Sequence, residues 1–565
     1  MTAGWLRLAL AVLIAGAWGA QAAAQSAAPP ASPALVAPHL GVATRFGQGW
    51  RPDLLPAAVG LGADDFRDAV YWNLVEAQDG TLSFTGDRTA WPDRLPPLGA
   101  TMSLTVNNGH PAHDGGATPH SPPAVAAFAD FAAAAVRRFP AIRAVEIGNE
   151  MNSDRFMTGP LAEGDLAARA RGYAALLAAS AARVRRADPT VRILGGAAHS
   201  IPLAWIEALL RAGAAASMDA LVLHPYTTAP EQLRRQIALL RRLPGAATLP
   251  IEITEFGSTD ATRAPGLLLR HYCQMALSGV TRAVWYPLAA RGDGLVPLVD
   301  DTGLPTPAGR TFRTIRQLLE GTAGSDASPD PFTYGCRFGP RALLLWGEPR
   351  ALTLAPGLQA LDPEGMLIAQ PDLSLSMERP VLILGAEAPP VLGENVRLAP
   401  QRILADSLHQ FAYPVGGAPV AFRAFMRLDG QEEPLETRPG QDRPGVPWTP
   451  YLASDRDGVL RAGPGWVVPS AWGDRPLSVV LRHRVESTTD GTVTVRIAPS
   501  ERSTDGVRLT LRLGGAILLD RVVRGPETLL LAPVRLVAGN ALEVELGPNG
   551  SAKGDATDLR VTISE

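Results

Sequence analysis

Lysine is almost missing from this 565-residue chain: of 52 basic residues, only Lys553 is a lysine. A phosphate-binding P-loop, a Schiff-base lysine and a kinase lysine are therefore excluded, because each needs a lysine within a particular motif. Two cysteines, Cys273 and Cys336, are too few for a zinc ribbon or an iron–sulfur cluster. The G-x-S-x-G motif of serine hydrolases is absent as well. What remains is chemistry with carboxylates, histidine, tyrosine and arginine, and we expect no cofactor.

Charge and composition are those of an ordinary globular protein. Hydrophobic residues make up 46% and charged residues 19% of the chain, which provides enough apolar surface for several cores. The formal net charge of −3 gives no indication of a nucleic-acid partner. At about 150 residues per domain, the length predicts three or four domains. The oligomeric state is not determined by the sequence.

The first 24 residues have the pattern of a secretory signal peptide. Arg7 precedes an apolar run over residues 8–20, and small residues with A-x-A spacing follow. An uncleaved membrane anchor is the alternative, although the run is short for a span. Residues 25–37 resemble an Ala/Pro/Ser linker. We therefore expect a secreted or periplasmic protein with no stable membrane span after cleavage, and export leaves open whether Cys273 and Cys336 pair.

Between residues 38 and 320, short apolar runs alternate with longer amphipathic stretches, as in parallel strands buried on both faces and joined by helices. The eight runs cover residues 39–44, 66–71, 100–106, 142–148, 191–196, 219–224, 250–255 and 281–287. The clear helical patterns cover residues 121–139, 162–187, 201–213, 230–243, 264–279 and 307–320. An open doubly wound sheet would need a glycine-rich turn after the first strand, and residues 41–44 do not provide one. The predicted fold class is therefore α/β, with a (β/α)8 TIM barrel over residues 38–320.

Helical periodicity ends after the barrel. Residues 321–332 read as a linker, residues 333–386 as a small β-domain, and residues 403–565 as a C-terminal β-sandwich or jelly roll. The C-terminal domain carries Trp448, Trp466 and Trp472. Tryptophan faces stack on sugar rings, but tryptophan is also common in sandwich cores, so both roles stay open.

Two predicted strands end on a glutamate. The fourth ends Ile147-Gly148-Asn149-Glu150 and the seventh Ile253-Thr254-Glu255, and barrel active sites lie at these carboxyl ends. Two carboxylates that face one cleft suit glycoside hydrolysis, in which one protonates the leaving oxygen and the other attacks or activates water. A structural salt bridge is the alternative. Of the competing carboxylates, Glu146 is predicted a strand length below Glu150, and Glu252 is predicted to point to the opposite face.

Several stretches resemble the clan A retaining glycoside hydrolases, and most closely glycoside hydrolase family 39 with its exopolysaccharide-active relatives. The similar stretches, in addition to the two strand ends, are residues 66–72 with Val75-Glu76, His224-Pro225-Tyr226, Thr254-Glu255-Phe256-Gly257, residues 294–296 and residues 301–307. The resemblance covers about residues 38–386. It implies a retaining glycosidase on a TIM barrel followed by a small β-domain.

The resemblance assigns Glu150 as the general acid/base and Glu255 as the nucleophile, about 5 Å apart. The ionised Glu255 is then expected to raise the pKa of Glu150. Asn149 would hydrogen-bond the sugar 2-hydroxyl. Arg67 is the candidate that keeps Glu255 ionised, unless it pairs with Asp68 instead.

Four further residues are candidate substrate contacts, each with a structural alternative. His224 is either a sugar contact or a hydrogen-bonded strand-end histidine, and Tyr226 could donate a hydrogen bond to the nucleophile. Trp285 is either a platform for a sugar ring or barrel packing. Asn107, next to Asn108, is either a polar contact or a turn cap.

A cluster of His110, His113, Asp114 and His120 resembles a metal site. Proline and glycine in the same loop exclude the helix that would align its ligands, so we predict a cleft wall and no metal. The function predicted from the sequence is an exported retaining glycosidase acting on a polysaccharide or oligosaccharide, such as a bacterial exopolysaccharide. A non-catalytic carbohydrate-binding scaffold and a transglycosylase with the same carboxylates are the alternatives.

Overall fold

The computed structural model describes residues 35–107, 109–369 and 373–565. The predicted signal peptide and most of the predicted linker lie outside these ranges, as does Asn108. Within the described ranges, no helix combines the length and apolar character that a membrane crossing needs.

Eight parallel strands close into a barrel, which confirms the predicted fold class. The strands are, in chain order, His39–Ala43, Asp65–Ala69, Thr101–Val106, Ile142–Ile147, Arg192–His199, Ala220–His224, Ile251–Phe256 and Val280–Trp285. They are apolar and almost fully buried because helices cover their outer faces and side chains fill the interior. Closure pairs the first strand with the eighth, for example Leu40 with Ala283.

Helices surround the barrel, and side-chain caps begin several of them. The α-helices are Leu55–Gly60, Trp72–Val75, Pro122–Arg138, Pro160–Glu163, Leu166–Ala187, Leu203–Arg211, Pro230–Leu240, Ala264–Leu277 and Pro307–Leu318. The short 3-10 turns are Phe46–Gln48, Pro52–Leu54, Trp91–Arg94, Pro96–Leu98, Asp114–Gly116 and Ala214–Ser217. Asp165 accepts a hydrogen bond from the Ala168 N–H at 2.7 Å, and Thr306 accepts one from the Gly309 N–H at 3.1 Å. These caps satisfy N–H groups that the first helical turn leaves free.

A small β-domain follows the barrel and extends beyond its predicted bounds. Its six-stranded sheet contains Leu35–Val36, Ala323–Asp326, Thr333–Phe338, Ala342–Gly347, Val381–Gly385 and Leu358–Leu361, and a second pair joins Leu352–Leu354 to Val396–Leu398. The two segments predicted as linkers, residues 25–37 and 321–332, therefore include strands. Backbone pairing between Leu35–Val36 and Ala323–Asp326 explains both, because each segment is too short to carry a strand pattern of its own.

The C-terminal domain is built from two antiparallel sheets whose inner side chains form one core. The first contains Ile403–Asp406, Glu436–Arg438, Tyr451–Ala453, Arg461–Gly463, Trp466–Val468, Thr489–Pro499, Glu527–Leu536 and Thr557–Ser564. The second contains Phe422–Leu428, Gln431–Pro434, Ser470–Trp472, Arg475–Arg484, Val507–Leu513, Ala516–Val523 and Ala541–Pro548. Two sheets around a shared core form a β-sandwich.

Cys273 and Cys336 form a disulfide between the helix Ala264–Leu277 and the small β-domain. The sequence alone left this pairing open, because the two cysteines lie in different predicted units. Both are fully buried. The bond thus fixes the small β-domain to the barrel.

Replacing both cysteines by serine should lower the free energy of unfolding by about 2–4 kcal/mol, because the cross-link restricts the unfolded chain. Urea unfolding of the oxidised protein and of the double variant measures the difference. The unfolding midpoint of the double variant should not respond to a thiol reductant. A wild-type midpoint equally insensitive to reductant under unfolding conditions would contradict the prediction.

Candidate active site

The carboxyl ends of the fourth and seventh strands bring Glu150 and Glu255 together. An oxygen of each carboxylate and a ring nitrogen of His224 all lie within 4.8 Å of one another. The backbone turns sharply before Glu150: Gly148 has φ of 85° and Glu150 itself has φ of 47°. A side chain at position 148 would collide with Met151, since its Cβ would lie 2.4 Å from Cγ of that residue. This turn directs the Glu150 carboxylate over the barrel mouth.

Arg67, on the second strand, is the cation at the base of the site. Its guanidinium donates to both oxygens of Glu146 at 2.8 and 2.7 Å, to Oδ1 of Asn149 at 2.8 Å, and to Glu255. Asp68, the predicted alternative partner, instead accepts hydrogen bonds from Thr44 and from backbone N–H groups. Arg67 therefore lies between Glu146 and the candidate nucleophile.

Glu146 has a larger part in the site than its position along the strand predicts. It is fully buried, and both its oxygens contact Arg67. Burial opposes its ionisation, but the charge and hydrogen bonds of Arg67 outweigh burial and lower the pKa of Glu146 to about 2. Glu146 is thus linked to Glu255 through Arg67, a contact that its predicted position a strand length below Glu150 does not reveal. Glu252, by contrast, pairs with Arg192 and Arg282.

Tyr226 and Arg67 contact opposite oxygens of Glu255. The phenol donates a hydrogen bond to Oε2 at 2.9 Å, and the guanidinium contacts Oε1. Burial and the neighbouring Glu255 charge raise the pKa of Tyr226 well above its usual value, so the phenol keeps its proton. The two donors together fix the orientation of the Glu255 carboxylate.

Two histidines contact the Glu150 carboxylate. Oε1 lies 3.0 Å from Nδ1 of His199 and 3.1 Å from Nδ1 of His224. Burial disfavours the charge of Glu150, yet the hydrogen bonds from His199 and His224 outweigh burial and hold its pKa well below the usual range. The expectation of a raised pKa is therefore wrong, because histidine neighbours act more strongly on Glu150 than the carboxylate across the cleft does.

His224 lies beneath the two glutamates rather than in the cleft. It is fully buried, and its Nε2 is 3.0 Å from the Thr254 hydroxyl. Burial opposes its protonation, but Glu255, Glu146 and Glu150 raise the pKa of His224 to about 9. A direct sugar contact is thus excluded, and the structural alternative for this histidine is correct. His224 acts on the site through Glu150.

A polar cavity of about 410 Å³ reaches Arg67, the residue that contacts Glu255, and Asn149, the residue before Glu150. Its walls include Arg45, Arg67, Tyr71, Asn107, Asn149 and Tyr286. Since Oδ1 of Asn149 accepts from Arg67, its amide nitrogen remains available to donate to a ligand. The predicted contact residues Asn107 and Asn149 therefore both line this cavity.

The prediction of a sugar platform at Trp285 is wrong. Its indole is fully buried, packs edge-to-face on Phe256 at 5.2 Å and donates to the Val296 carbonyl at 3.1 Å. The next residue, Tyr286, lines the cavity instead. Irregular pairing between the seventh and eighth strands shifts the register here, which a simple alternation of side chains does not predict.

The histidine-rich loop after the third strand is held by internal contacts. His113 Nε2 lies 2.7 Å from Glu76 Oε1, and its ring stacks on Trp72 with centroids 4.8 Å apart. Asp114 accepts from the His120 and Ser121 N–H groups. Glu76, His110 and His113 do offer three metal-ligand atoms within 4.8 Å. Glu76 Oε1 is the partner of His113, and Nδ1 of His110 accepts a hydrogen bond from the Ala112 N–H at 3.1 Å.

A scan against protein-family models and a search of curated proteins found no match to this chain. Solved structures do match. A family 39 glycoside hydrolase from the gut symbiont Bacteroides cellulosilyticus WH2 is 16% identical over 61% of this chain and 80% of its own, with a TM-score of 0.52. The chain shares the fold of this glycoside hydrolase. The resemblance seen in the sequence is thus confirmed at the level of the fold.

Two further solved structures are similar to this chain. A family 39 β-xylosidase from Caulobacter crescentus is 17% identical over 62% of this chain and 97% of its own, with a TM-score of 0.47. A family 30 endoxylanase from Clostridium papyrosolvens C71 is 12% identical over the same shares, also with a TM-score of 0.47.

Replacing Arg67 by methionine should lower the free energy of unfolding by about 3–5 kcal/mol near pH 7, because Glu146 and Glu255 would remain buried without their cation. The deficit should shrink as pH falls toward about 5, where the unpaired carboxylates of the variant take up protons. In the wild type, the ionised Glu146 contributes to the free energy of unfolding at every pH above about 4.5. This contribution is lost only as the pH falls toward about 2, the pKa of Glu146 in the folded protein. Urea unfolding at both pH values tests this.

Arg67→Lys is the matched control, because it keeps the charge and loses the forked geometry. Arg67→Lys should therefore lose less of the free energy of unfolding than Arg67→Met does. A deficit in Arg67→Met that does not change between the two pH values would contradict an electrostatic origin.

Proposed function

We propose that the protein is an exported retaining glycoside hydrolase that cleaves a polysaccharide or oligosaccharide by double displacement. The observation that carries the proposal is the close approach of Glu150 and Glu255, whose nearest ligand oxygens lie within 4.8 Å. Retaining enzymes hold their carboxyl groups about 5–5.5 Å apart, whereas inverting enzymes leave about 6.5–9.5 Å for a water molecule. The fold shared with a glycoside hydrolase supports the same class.

In the first step, Glu255 attacks the anomeric carbon, and the bond from that carbon to the leaving oxygen breaks. Glu150 gives a proton to the leaving oxygen, so the departing sugar leaves as an alcohol. In the second step, Glu150 takes a proton from water, the hydroxyl adds to the anomeric carbon, and Glu255 departs as a carboxylate. Arg67 and Tyr226 support Glu255 in its ionised state at the start and the end of this cycle.

The proton that Glu150 donates comes from the pair it forms with His224. The 3.1 Å contact between Nδ1 and Oε1 lets one proton be shared between imidazole and carboxylate. The raised pKa of His224, about 9, keeps that proton in the pair at neutral pH. A leaving oxygen that gains negative charge draws the proton through Glu150.

The cavity offers room for a sugar ring against Arg67 and Asn149, the neighbours of Glu255 and Glu150. Its volume of about 410 Å³ is within the usual range for small-molecule sites. Asn149 is positioned by Arg67 to donate toward the sugar 2-hydroxyl. A protein with the predicted signal peptide would meet polysaccharides outside the cytoplasm. A bacterial exopolysaccharide is therefore one candidate substrate.

The first experiment measures new reducing ends released from a panel of bacterial exopolysaccharides and plant glycans. Wild type should release them, and Glu255→Gln should lose at least about 10³-fold because it has no nucleophile. Glu207→Gln, an exposed partner of Arg211 on a barrel helix, is the control and should match wild type. Equal release by wild type and Glu255→Gln would contradict the assignment.

Rescue of glycine variants by azide distinguishes the nucleophile from the acid/base residue. With an aryl glycoside of the cleaved sugar, Glu255→Gly plus azide should give a glycosyl azide of inverted configuration, and Glu150→Gly plus azide one of retained configuration. The opposite pattern would exchange the roles. Binding of a glycan without release of reducing ends would favour the scaffold, and longer products would favour a transglycosylase.

His224→Asn should shift the alkaline limb of the kcat profile to lower pH. Asparagine can donate a hydrogen bond to Glu150 but cannot carry the extra proton. The pair of the wild type keeps its proton until pH rises through about 9, whereas Glu150 alone loses it earlier. Initial rates between about pH 5 and 10 test this prediction. An unchanged alkaline limb would mean that His224 does not hold the proton.

A further inference from the structure

A loop of the C-terminal domain reaches the barrel beside Glu150. This docking loop, residues 439–450, connects the strands Glu436–Arg438 and Tyr451–Ala453. The Leu203 N–H donates to the Pro439 carbonyl at 2.9 Å, which fixes the loop to the helix that follows the fifth barrel strand. The loop therefore contacts the mouth of the barrel although it belongs to another domain.

Gln441 and Asn152 form a reciprocal pair across the domain boundary. The Gln441 amide donates to the Asn152 carbonyl at 2.6 Å, and the Asn152 amide donates to Oε1 of Gln441 at 2.9 Å. Asn152 is two residues beyond Glu150 and almost fully buried. This pair fixes both chain segments, because losing Gln441 leaves the buried amide of Asn152 with an unpaired polar atom.

Asn152 also holds His199. Its Oδ1 accepts from the His199 N–H at 2.8 Å, and its Nδ2 donates to the His199 carbonyl at 3.1 Å. The His199 ring then contacts Glu150 at 3.0 Å. Only two side chains, Asn152 and His199, thus separate Gln441 from the carboxylate.

Aromatic rings enclose His199 on two sides. Tyr226 stacks on it with centroids 6.2 Å apart, and Trp448 of the docking loop meets it edge-to-face at 5.4 Å. The other candidate tryptophans of this domain have no such position: Trp466 packs on a small local cluster, and Trp472 bonds Asp457. Trp448 is therefore the one of the three that reaches the imidazole next to Glu150.

Backbone strain gathers at the same place. Among the described residues, seven non-glycine residues have positive φ, and they include Glu150 at 47°, Ser200 at 67° and Gln441 at 56°. Such conformations are disfavoured for residues that carry a Cβ and persist where surrounding contacts hold them. These three residues lie in three segments that contact one another: the docking loop and the loops after the fourth and fifth barrel strands. The three segments therefore hold one another in place.

We propose that the docking loop is part of the active site: Gln441, acting through Asn152, positions His199 and thereby orients Glu150 for proton transfer. Gln441, Asn152 and Trp448 are positioning residues in this account. The proposal rests on the proposed function and deepens it, because it makes the C-terminal domain a component of the acid/base machinery.

The test uses the full chain and two glycosides of the one sugar that wild type cleaves. Gln441→Ala should lower kcat on the methyl glycoside about 10- to 100-fold, because its poor leaving group needs a well-placed acid. The 2,4-dinitrophenyl glycoside leaves without a proton, so its rate of glycosylation should change less than about 3-fold. Equal losses on both substrates would overturn the proposal.

Tyr413→Phe is the matched control. It removes the hydrogen bond that Gln236 of the barrel donates to Tyr413 at 3.1 Å, and so weakens the same domain boundary away from Glu150. It should leave the ratio of the two rates at the wild-type value. If it changes the ratio as much as Gln441→Ala does, the docking loop only attaches the domain, and the proposal fails.

A readout that needs no activity separates this proposal from the proposed function. The ring 1H–13C NMR signal of His199, assigned by its loss in His199→Gln, should move in Gln441→Ala and stay in place in Tyr413→Phe. An unmoved signal in Gln441→Ala would overturn the positioning role. If wild type cleaves no glycoside but the signal moves as expected, the proposed function fails while the contact stands.

Discussion

The site depends on one buried guanidinium. Arg67 is 5% exposed and joins Glu146, Asn149 and Glu255, which lie on two different barrel strands and the loop after one of them. Its planar fork gives each acceptor its own N–H, which a lysine ammonium on a flexible stem would not do in the same geometry. Removing it would leave carboxylates in an interior where isolated charge is costly. The positions of both Glu255 and Asn149 follow from this residue.

The charged groups around Arg67 explain the shifted pKa values of Glu146 and His224. Glu146, Glu150 and Glu255 bring three carboxyl groups to one end of the barrel, and Arg67 supplies one positive charge. Burial opposes protonation of His224, but these carboxyl groups raise its pKa to about 9. The protonated imidazole is then a second positive charge beside Arg67. His224 is therefore best understood as the partner that makes a third carboxylate tolerable.

The sequence predicts the parts of the site that barrel topology determines. Glu150 and Glu255 follow from counting strands, because every parallel strand delivers its end to one face. Side-chain direction is harder: Trp285 and Tyr286 exchange roles where the pairing of the last two strands becomes irregular. The contact between Asn152 and Gln441 spans 289 residues and has no local pattern, so the sequence does not indicate it. The sequence does not indicate the contacts of His199 with Glu150 or of Glu146 with Arg67 either, because each contact joins two different parts of the barrel.

The short strand Leu35–Val36 has a consequence for how the chain is made. It pairs with residues near Gly324, and the first barrel strand pairs with residues near Ala283. A chain growing from its amino end thus keeps an open sheet edge until almost 300 residues have been synthesised. Such edges attract other strands, and closing them late is slow because the loop to be closed is long. The barrel therefore closes only when its last strand is present, and Leu35–Val36 finds its partner only when the start of the next domain has followed.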